Sequence, residues 1–507
     1  MIAALLAQQV EKIPGTSVDW FAIAPELCLF GAAIVIVLAK SLIRHDKRVH
    51  DVALITALAG VIAAGVFTWV QWTFVNGNGD APYQALADMV AVDGFGVFMR
   101  AIILGATFLA LLISNGYLKR ANLEGPEYFA LMLCSATGMV LMTSANDLVT
   151  VFLSLEILSI ALYVLAAFDR RHITSQEAGL KYFLLGSFSS AILLYGIALT
   201  YGGTGTTNLT GIAKYLAQTT IIDDGVLLLG VVFLLVGLAF KVGAAPFHMW
   251  TPDVYQGSPT PVTTFMAAAT KAAAFAAMLR ILVGAFDLYR VDWRPAIAGL
   301  AIVSLLVGSI AALAQTDVKR MLAYQSIAHA GYILIGVQAA TVKGTSAALF
   351  YLAVYALMVT GSFAVVLVVA RDGDDRHTLA EYRGLAAARP MLAGLLTLFL
   401  LAQAGVPLTG GFVAKLTVFS AAVDAGQYWL ALIGMLAAVI GAFVYLRIIL
   451  TMYAPDEGEE APTGPRMRVD AGTGIALAVT ATAILLLGIV PGAMLDFARD
   501  ATQLLAK

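Results

Sequence analysis

Cysteine is nearly absent: Cys28 and Cys134 are the only two, far apart and without a C-x-x-C. An iron–sulfur cluster takes about four thiolates, so none can be assembled from this chain. Each cysteine sits in an apolar run and reads as a small packing residue. Charge is scarce too, at 12% Asp, Glu, Lys and Arg, with a net charge of −2. No long polar stretch leaves room for a soluble catalytic domain, and no basic patch points to nucleic acid. The first twenty residues lack a basic segment and a long apolar core, so a cleavable signal peptide is not expected. A nucleotide fingerprint is missing as well. Gly472-Thr473-Gly474 opens an apolar helix without a preceding strand, and GGTGTTN at 202–208 reads as a loop.

What the chain has is apolar length. Sixty per cent of its 507 residues are hydrophobic, which predicts an all-α polytopic membrane protein in a lipid bilayer. Apolar runs predict spans near 20–42, 52–75, 90–116, 126–144, 147–168, 175–201, 225–247, 260–286, 295–315, 322–339, 344–370, 389–423, 427–453 and 471–495. That is about 14 transmembrane helices. Residues 207–219 read as a weakly amphipathic connector along the surface. Loops after odd-numbered spans, with their membrane edges, hold sixteen Lys and Arg, from Lys40, Arg44 and Lys47 to Arg371, Arg466 and Arg468. The opposite loops hold seven, Lys12 and Lys507 among them. The positive-inside rule then puts the first set in the cytoplasm and both termini outside.

The chain is organised around LAFKVGAAPFHMWTPDVYQGSPTPVTTFMAAATK, Leu238 to Lys271. Lys241 and Lys271 lie inside spans 7 and 8, and Pro246, Pro252, Pro259 and Pro261 break the helix between them. A lysine at mid-depth costs about 2.5–3.5 kcal/mol on insertion scales, so two so close together need a purpose. A broken helix beside a buried charge marks a polar path. Span 12, LAQAGVPLTGGFVAK, repeats the theme with Pro407, Gly410 and Gly411 ahead of Lys415. Spans 7 and 12 are five apart, so two five-span units would insert with opposite orientation. The expected fold is two inverted five-helix repeats, spans 4–8 and 9–13, with helices 7 and 12 broken. The corresponding regions are 1–125 for three N-terminal spans, 126–287 and 288–453 for the repeats, and 454–507 for a loop and the last span.

Further candidates lie in the spans. Glu156, in LSLEILSIALYV of span 5, shares a helical face with Ser159 and Tyr163. A lone buried glutamate can be a protonated core residue; here it reads as an ion partner for a buried lysine. Lys181 in span 6 follows Glu177 by one turn, so it is either locally paired or part of the path. His329, in AYQSIAHAGYILIG of span 10 with Tyr324, Gln325 and Tyr332 nearby, reads as a link between the two halves. Arg100, Arg280 and Arg447 lie nearer span ends and are expected to snorkel. These residue types favour protons: a desolvated lysine exchanges a proton, and a nearby carboxylate adjusts how readily. A sodium site would need clustered oxygen ligands, and a row of lysines repels cations.

FKVGAAPFHMWTPDVYQGSPTPVTTF, with the span-8 lysine, resembles the subunit N family of the proton-pumping NADH:quinone oxidoreductase, respiratory complex I. The similarity runs from about 127 to 425. SIAHAGY and the span-12 lysine are similar to motifs of the wider antiporter-like family. The resemblance implies that Glu156 is the span-5 glutamate, Lys241 its paired lysine, Lys271 the central lysine and Lys415 the terminal one. It also implies that the chain itself carries no cofactor, with FMN, iron–sulfur clusters and quinone in other subunits. Other membrane subunits, a neighbouring antiporter-like one included, are the implied partners, in a bacterial inner membrane with both termini periplasmic. The expected function is proton translocation along a Glu/Lys/His axis, driven by quinone reduction elsewhere. Two rivals stand beside it: a subunit of a multi-subunit cation/proton antiporter, and a non-conducting scaffold.

Overall fold

The apolar runs fold as helices whose ends are marked by short polar residues and glycines. In a computed structural model, residues 18–42, 48–77, 82–219, 224–370, 373–455 and 468–502 are described. Of the loop charges, Lys12, Arg44, Lys47, Arg371, Arg466 and Lys507 lie outside them. Helices α1 (Ala24–Leu42) and α2 (Arg48–Gly77) precede a hairpin of β1 (Tyr83–Ala85) and β2 (Val90–Val92). This hairpin takes the place of the first residues expected in span 3. Helix α3 (Gly94–Arg120) starts only after Asp93, whose side chain caps the Gly96 N–H. Then come α4 (Pro126–Ser144), α5 (Leu148–Ala166), α6 (Ile173–Thr204) and the connector α7 (Leu209–Gln218), which buries Leu209, Ile212 and Leu216.

The broken region follows. Helix α8 (Gly225–Val242) ends just past Lys241, the short α9 (Trp250–Gly257) follows, and α10 runs Thr260–Ala285. Within α10, Met266–Thr270 and Arg280–Ala285 are π-helical, the first directly before Lys271. Next are α11 (Arg290–Leu313), α12 (Val318–Gln338) and α13 (Val342–Val369). The expected span 12 is two pieces, α14 (Pro390–Ala404) and α15 (Gly410–Asp424), ahead of α16 (Tyr428–Tyr453), α17 (Ala471–Ile489) and α18 (Gly492–Asp500).

Twelve helices among the described residues are long and apolar enough to cross a membrane. The expected span 10 is the 21-residue α12, which carries Lys319 and Arg320 in its first turn. Helices α10 and α13 run through the middle of the molecule, 100% and 94% buried over their apolar windows, whereas α1 is 28% buried and α2 33%.

One internal correspondence recurs. Asp147, the cap of α5, bridges to Asn208 after α6; Asp317, the cap of α12, bridges to Thr378 after α13. Both ends of the second bridge lie 170 positions after those of the first (147 to 317, 208 to 378). The flanking bonds match as well. Leu148 N–H donates to Thr207 O and Leu209 N–H to Asn146 O, as Val318 N–H does to His377 O and Leu379 N–H to Thr316 O. Gly138 packs on the backbone at Ser154 and Leu158, and Gly308, again 170 positions on, packs on the backbone at Tyr324 and Ala328. A side chain at either glycine would collide with that backbone.

Candidate functional site

Three of the buried lysines, Lys241, Lys271 and Lys415, sit at helix irregularities. Lys241 is in the last turn of α8, where Gly243 takes φ 72° and ends the helix. Its ammonium, 3% exposed as a residue, donates to Ser159 Oγ at 2.7 Å and to the Tyr182 hydroxyl at 3.3 Å. The rings of Tyr182 and Tyr163 lie 5.1 and 5.8 Å away. Phe240 O, at the break, accepts from Trp250 Nε1 at 2.8 Å and also from the Gly243 N–H. Trp250 also stacks on Tyr182 at 4.7 Å, so α9 folds back over the Lys241 cage.

Lys271 follows the π-helical turn of α10 and donates to Ser326 O at 2.5 Å and Ser326 Oγ at 2.7 Å. The Tyr355 hydroxyl donates to the same Oγ at 2.7 Å, and its ring lies 5.2 Å from the ammonium. His329, one turn beyond Ser326, has both ring nitrogens engaged, Nδ1 with the Tyr351 hydroxyl at 2.8 Å and Nε2 with that of Tyr445 at 3.1 Å. Tyr445 donates to Gln403 Oε1 at 3.3 Å, and Gln403 Nε2 to Ser362 Oγ at 2.7 Å. Lys415, near the start of α15, donates to Ala404 O at 2.8 Å, a carbonyl set free where α14 stops.

The rings order the row. Tyr355 lies beside both Lys271 and His329 (5.2 and 5.1 Å), and Tyr332 beside both His329 and Lys415 (5.9 and 4.8 Å). Basic groups thus alternate with aromatic spacers. Among the described residues, the hydrogen-bond and ring partners of the three ammoniums are hydroxyls, carbonyls and aromatic rings, and none is a carboxylate.

Two candidates stand apart from this row. Glu156 is one turn before Ser159, half-buried, with Oε1 enclosed and lacking a hydrogen-bond partner; Ser159, not Glu156, receives the Lys241 proton donor. At the 170-residue spacing, Glu156 corresponds to Ser326 and Ser159 to His329. Lys181 is tied to Glu177 at 2.7 Å and to Asp253 at 2.8 Å, and Asp253 also holds Arg320 at 2.7 Å. These groups line a cavity of about 420 Å³ at one end of the molecule, along with Lys319, Asp374 and His377.

The expected snorkelling of Arg100 and Arg280 is incorrect. Arg280, 4% exposed, pairs bidentately with Asp93 at 2.6 and 2.8 Å and donates to Thr143 O at 2.6 Å. Arg100, 1% exposed, bonds Gln71 and lies 3.7 Å from Glu26. Neighbouring elements cover these helix ends, so burial plus a carboxylate replaces contact with solvent. Arg447 is half-buried and donates to Leu313 O at 2.9 Å and Gln315 O at 3.2 Å, at the end of α11. Sequence reasoning missed Ser326, Tyr351, Tyr355, Gln403 and Tyr445. Ser326 had a signal, since it precedes His329 by the same three residues that separate Glu156 from Ser159. Near His329, Tyr324 turns instead to Arg320, 5.9 Å from its ring. Among the described residues, no cluster of three or more His, Cys, Asp or Glu is placed to hold a metal ion.

The sequence model of the family described as NADH:quinone oxidoreductase/Mrp antiporter, TM matches residues 145–441, from the cap of α5 into α16. The chain belongs to that family. The matched range of this antiporter-like membrane family holds all six candidate residues. A relative from Trichlorobacter lovleyi, named NADH-quinone oxidoreductase subunit N, is 45% identical over 449 residues, 89% of this chain and 90% of that relative. Among solved structures, a chain of respiratory complex I from Thermus thermophilus with bound aureothin aligns with a TM-score of 0.77 at 32% identity. That match covers 93% of this chain and 98% of the other. A chain of the Mrp complex from a Dietzia species aligns with a TM-score of 0.81 over 94% and 97% at 21% identity, a likeness of fold alone.

Proposed function

We propose that this chain moves protons across a membrane as a subunit of an NADH:quinone oxidoreductase of the complex I kind, driven by quinone reduction in other subunits. The row of buried lysines, each held by hydroxyl or carbonyl oxygen with no carboxylate, is the observation that carries the reading. An ammonium in a dry site without a counter-ion is costly to keep charged, so it takes and releases a proton readily. A scaffold would instead fix such charges with carboxylates, as Asp93 fixes Arg280. Glu156, Lys241, Lys271, His329 and Lys415 are the proton-handling groups. Glu156 acts on Lys241 through its charge, while Ser159 takes the lysine's hydrogen bond. The aromatic spacers interrupt direct hydrogen bonding between stations, so transfer between them takes water or side-chain movement. Lys181, on the rim of the 420 Å³ cavity, belongs to the approach to the row.

The redox groups, FMN, iron–sulfur clusters and quinone, belong to other subunits in this reading, and the chain contacts other membrane subunits, an antiporter-like neighbour among them. The matched bridges and glycines support two five-helix units, 126–287 and 288–453, of opposite orientation. With α12 and the α14–α15 pair counted, this reading has about fourteen crossings, and the bias of Lys and Arg in the loops favours both termini on the periplasmic side of a bacterial inner membrane. The test is Lys271→Met in the complete complex, with proton uptake by inverted membrane vesicles followed during NADH oxidation. Assembly is retained and pumping falls by about tenfold or more, the size of a lost transition-state interaction. Normal pumping by an assembled variant would overturn the reading. A tagged chain that purified with other antiporter-like subunits, but without flavin and iron–sulfur subunits, would favour the cation/proton antiporter instead.

A further inference from the structure

The join between α9 and α10 is held from outside by residues far along the chain. Ser258 O, at the end of α9, accepts from Lys319 Nζ at 2.8 Å. Two residues on, the Thr260 N–H and hydroxyl, at the start of α10, donate to the two carboxylate oxygens of Asp374 at 2.8 and 2.6 Å. Lys319 and Asp374 lie 3.9 Å apart, and both side chains are over nine-tenths buried. His377 Nε2 lies 2.7 Å from Asp374 O and 3.3 Å from its Oδ1. The 373–379 segment is itself fastened to the start of α12 through Val318 N–H to His377 O and Leu379 N–H to Thr316 O. A closed ring of contacts therefore encloses the Ser258–Pro259 link.

This join connects the segments that hold both first-half lysines. On one side, α9 carries Trp250, which caps the turn of Lys241. On the other, Thr260 starts the helix that bears Lys271, about 16 Å further along its axis. Lys319 starts α12, and Ser326, the acceptor of Lys271, lies about 10 Å along that helix. Helices α10 and α12 are thus pinned at two points, ionically at their ends and through Lys271 and Ser326 at mid-length. We infer that Asp374, with Lys319, is a positioning residue for proton transfer: it sets the place of α10 against α12 and so holds Lys271 at Ser326. A fixed negative charge at the N-terminus of α10 suits the helix dipole. Burial raises the Asp374 carboxyl, but Lys319, His377 and Thr260 outweigh it and keep the group well below the usual carboxylate range. The staple stays charged while the lysine it positions changes state.

The inference rests on the proton-carrying reading of Lys271, and the test separates the two. Asp374→Asn, Asp374→Glu, Ser326→Ala and the Asp374→Asn/Ser326→Ala pair are made in the complete complex, with Lys271→Met as control. Asp374→Asn lowers protons taken up per NADH by about two- to fivefold, the range a helix-terminus charge is worth. Hydrogen exchange at the amides of 260–264 rises, and Asp374→Glu restores most of both properties. In the double variant the losses are less than multiplicative, because both changes release the same contact. Normal proton uptake in Asp374→Asn, or strictly multiplicative losses, would overturn the positioning role while a defective Lys271→Met left the proton reading standing. Normal pumping by Lys271→Met would instead remove the reading beneath it. If Asp374→Asn fails to assemble, Lys319→Met is measured in the same way. That change leaves Asp374 on Thr260, so a smaller fall in proton uptake supports the staple and unchanged uptake overturns it.

Discussion

The two broken helices solve one problem in opposite ways. In the first, Lys241 stands before the break, and its ammonium is met by side-chain hydroxyls, Ser159 and Tyr182. The Phe240 carbonyl there accepts from both Trp250 Nε1 and the Gly243 N–H. In the second, Lys415 stands after the break and takes the freed carbonyl of Ala404 directly. The first site is therefore built from side chains that substitution can remove, and the second from backbone that only a change of chain path can disturb. Glycine plays unequal parts accordingly. Gly243 at φ 72° would bring an added Cβ to 2.8 Å from the buried Thr251 hydroxyl. Gly405 at φ 89° would bring one to 2.9 Å from Lys415 Cδ, the lysine's own stem.

The comparison is tested most severely by the first site's charges. Glu156→Gln and Lys241→Met each lower NADH-driven pumping by about tenfold, and the double variant loses much less than the product, since the two act as one electrostatic unit. Strictly multiplicative losses, with assembly verified for all three, would mean that the glutamate and lysine work independently. Next in size is Gly405→Ala, which forces an L-residue into the left-handed region at a cost of about 1–2 kcal/mol and displaces the Lys415 stem. It should lower both the melting temperature of the complex and its pumping. Gly243→Ala carries the same backbone cost but touches only Thr251, so its pumping per assembled complex stays closer to normal. Equal pumping defects in the two alanine variants would erase the distinction between the breaks. The smallest effect is expected of Ser159→Ala, which removes one neutral acceptor worth about 0.5–1.5 kcal/mol and slows turnover by about two- to tenfold. An unaltered rate there would show that Tyr182 alone suffices for Lys241.

How far these sites were legible in the sequence depends on the range of the interaction involved. The lysines and the breaks beside them are local features: a charge in an apolar run, and proline or glycine nearby, announce themselves within a few residues. Ser159 could be placed because it shares a helical face with Glu156. The partner of Arg280 could not, because Asp93 lies nearly two hundred residues away and at the edge of a hairpin that hydropathy counts as membrane span. For the same reason Arg100 looked interfacial. Hydropathy measures how apolar a window is, not which neighbour covers its end. Ser326 carries no comparable local mark of its role, since a hydroxyl's importance depends on what approaches it from another helix. Glu156 stands out locally as a carboxylate in an apolar run, but a pairing with Lys241 depends on an approach distance that composition does not contain.

The π-helical turn ahead of Lys271 makes the lysine's direction a matter of winding. Met266–Thr270 accommodates more chain than an α-helix would over the same rise. Every residue in an α-helix turns the next by about 100° and advances it about 1.5 Å. Deleting one residue from that turn would let α10 continue as regular helix, with its chemistry intact. The ammonium would still face Ser326, because the wide turn already absorbs the extra residue; winding the full sequence as regular α-helix would instead swing it by about 100°. At this position the azimuth of a buried lysine is set by how the turn ahead of it winds rather than by the identity of its residues.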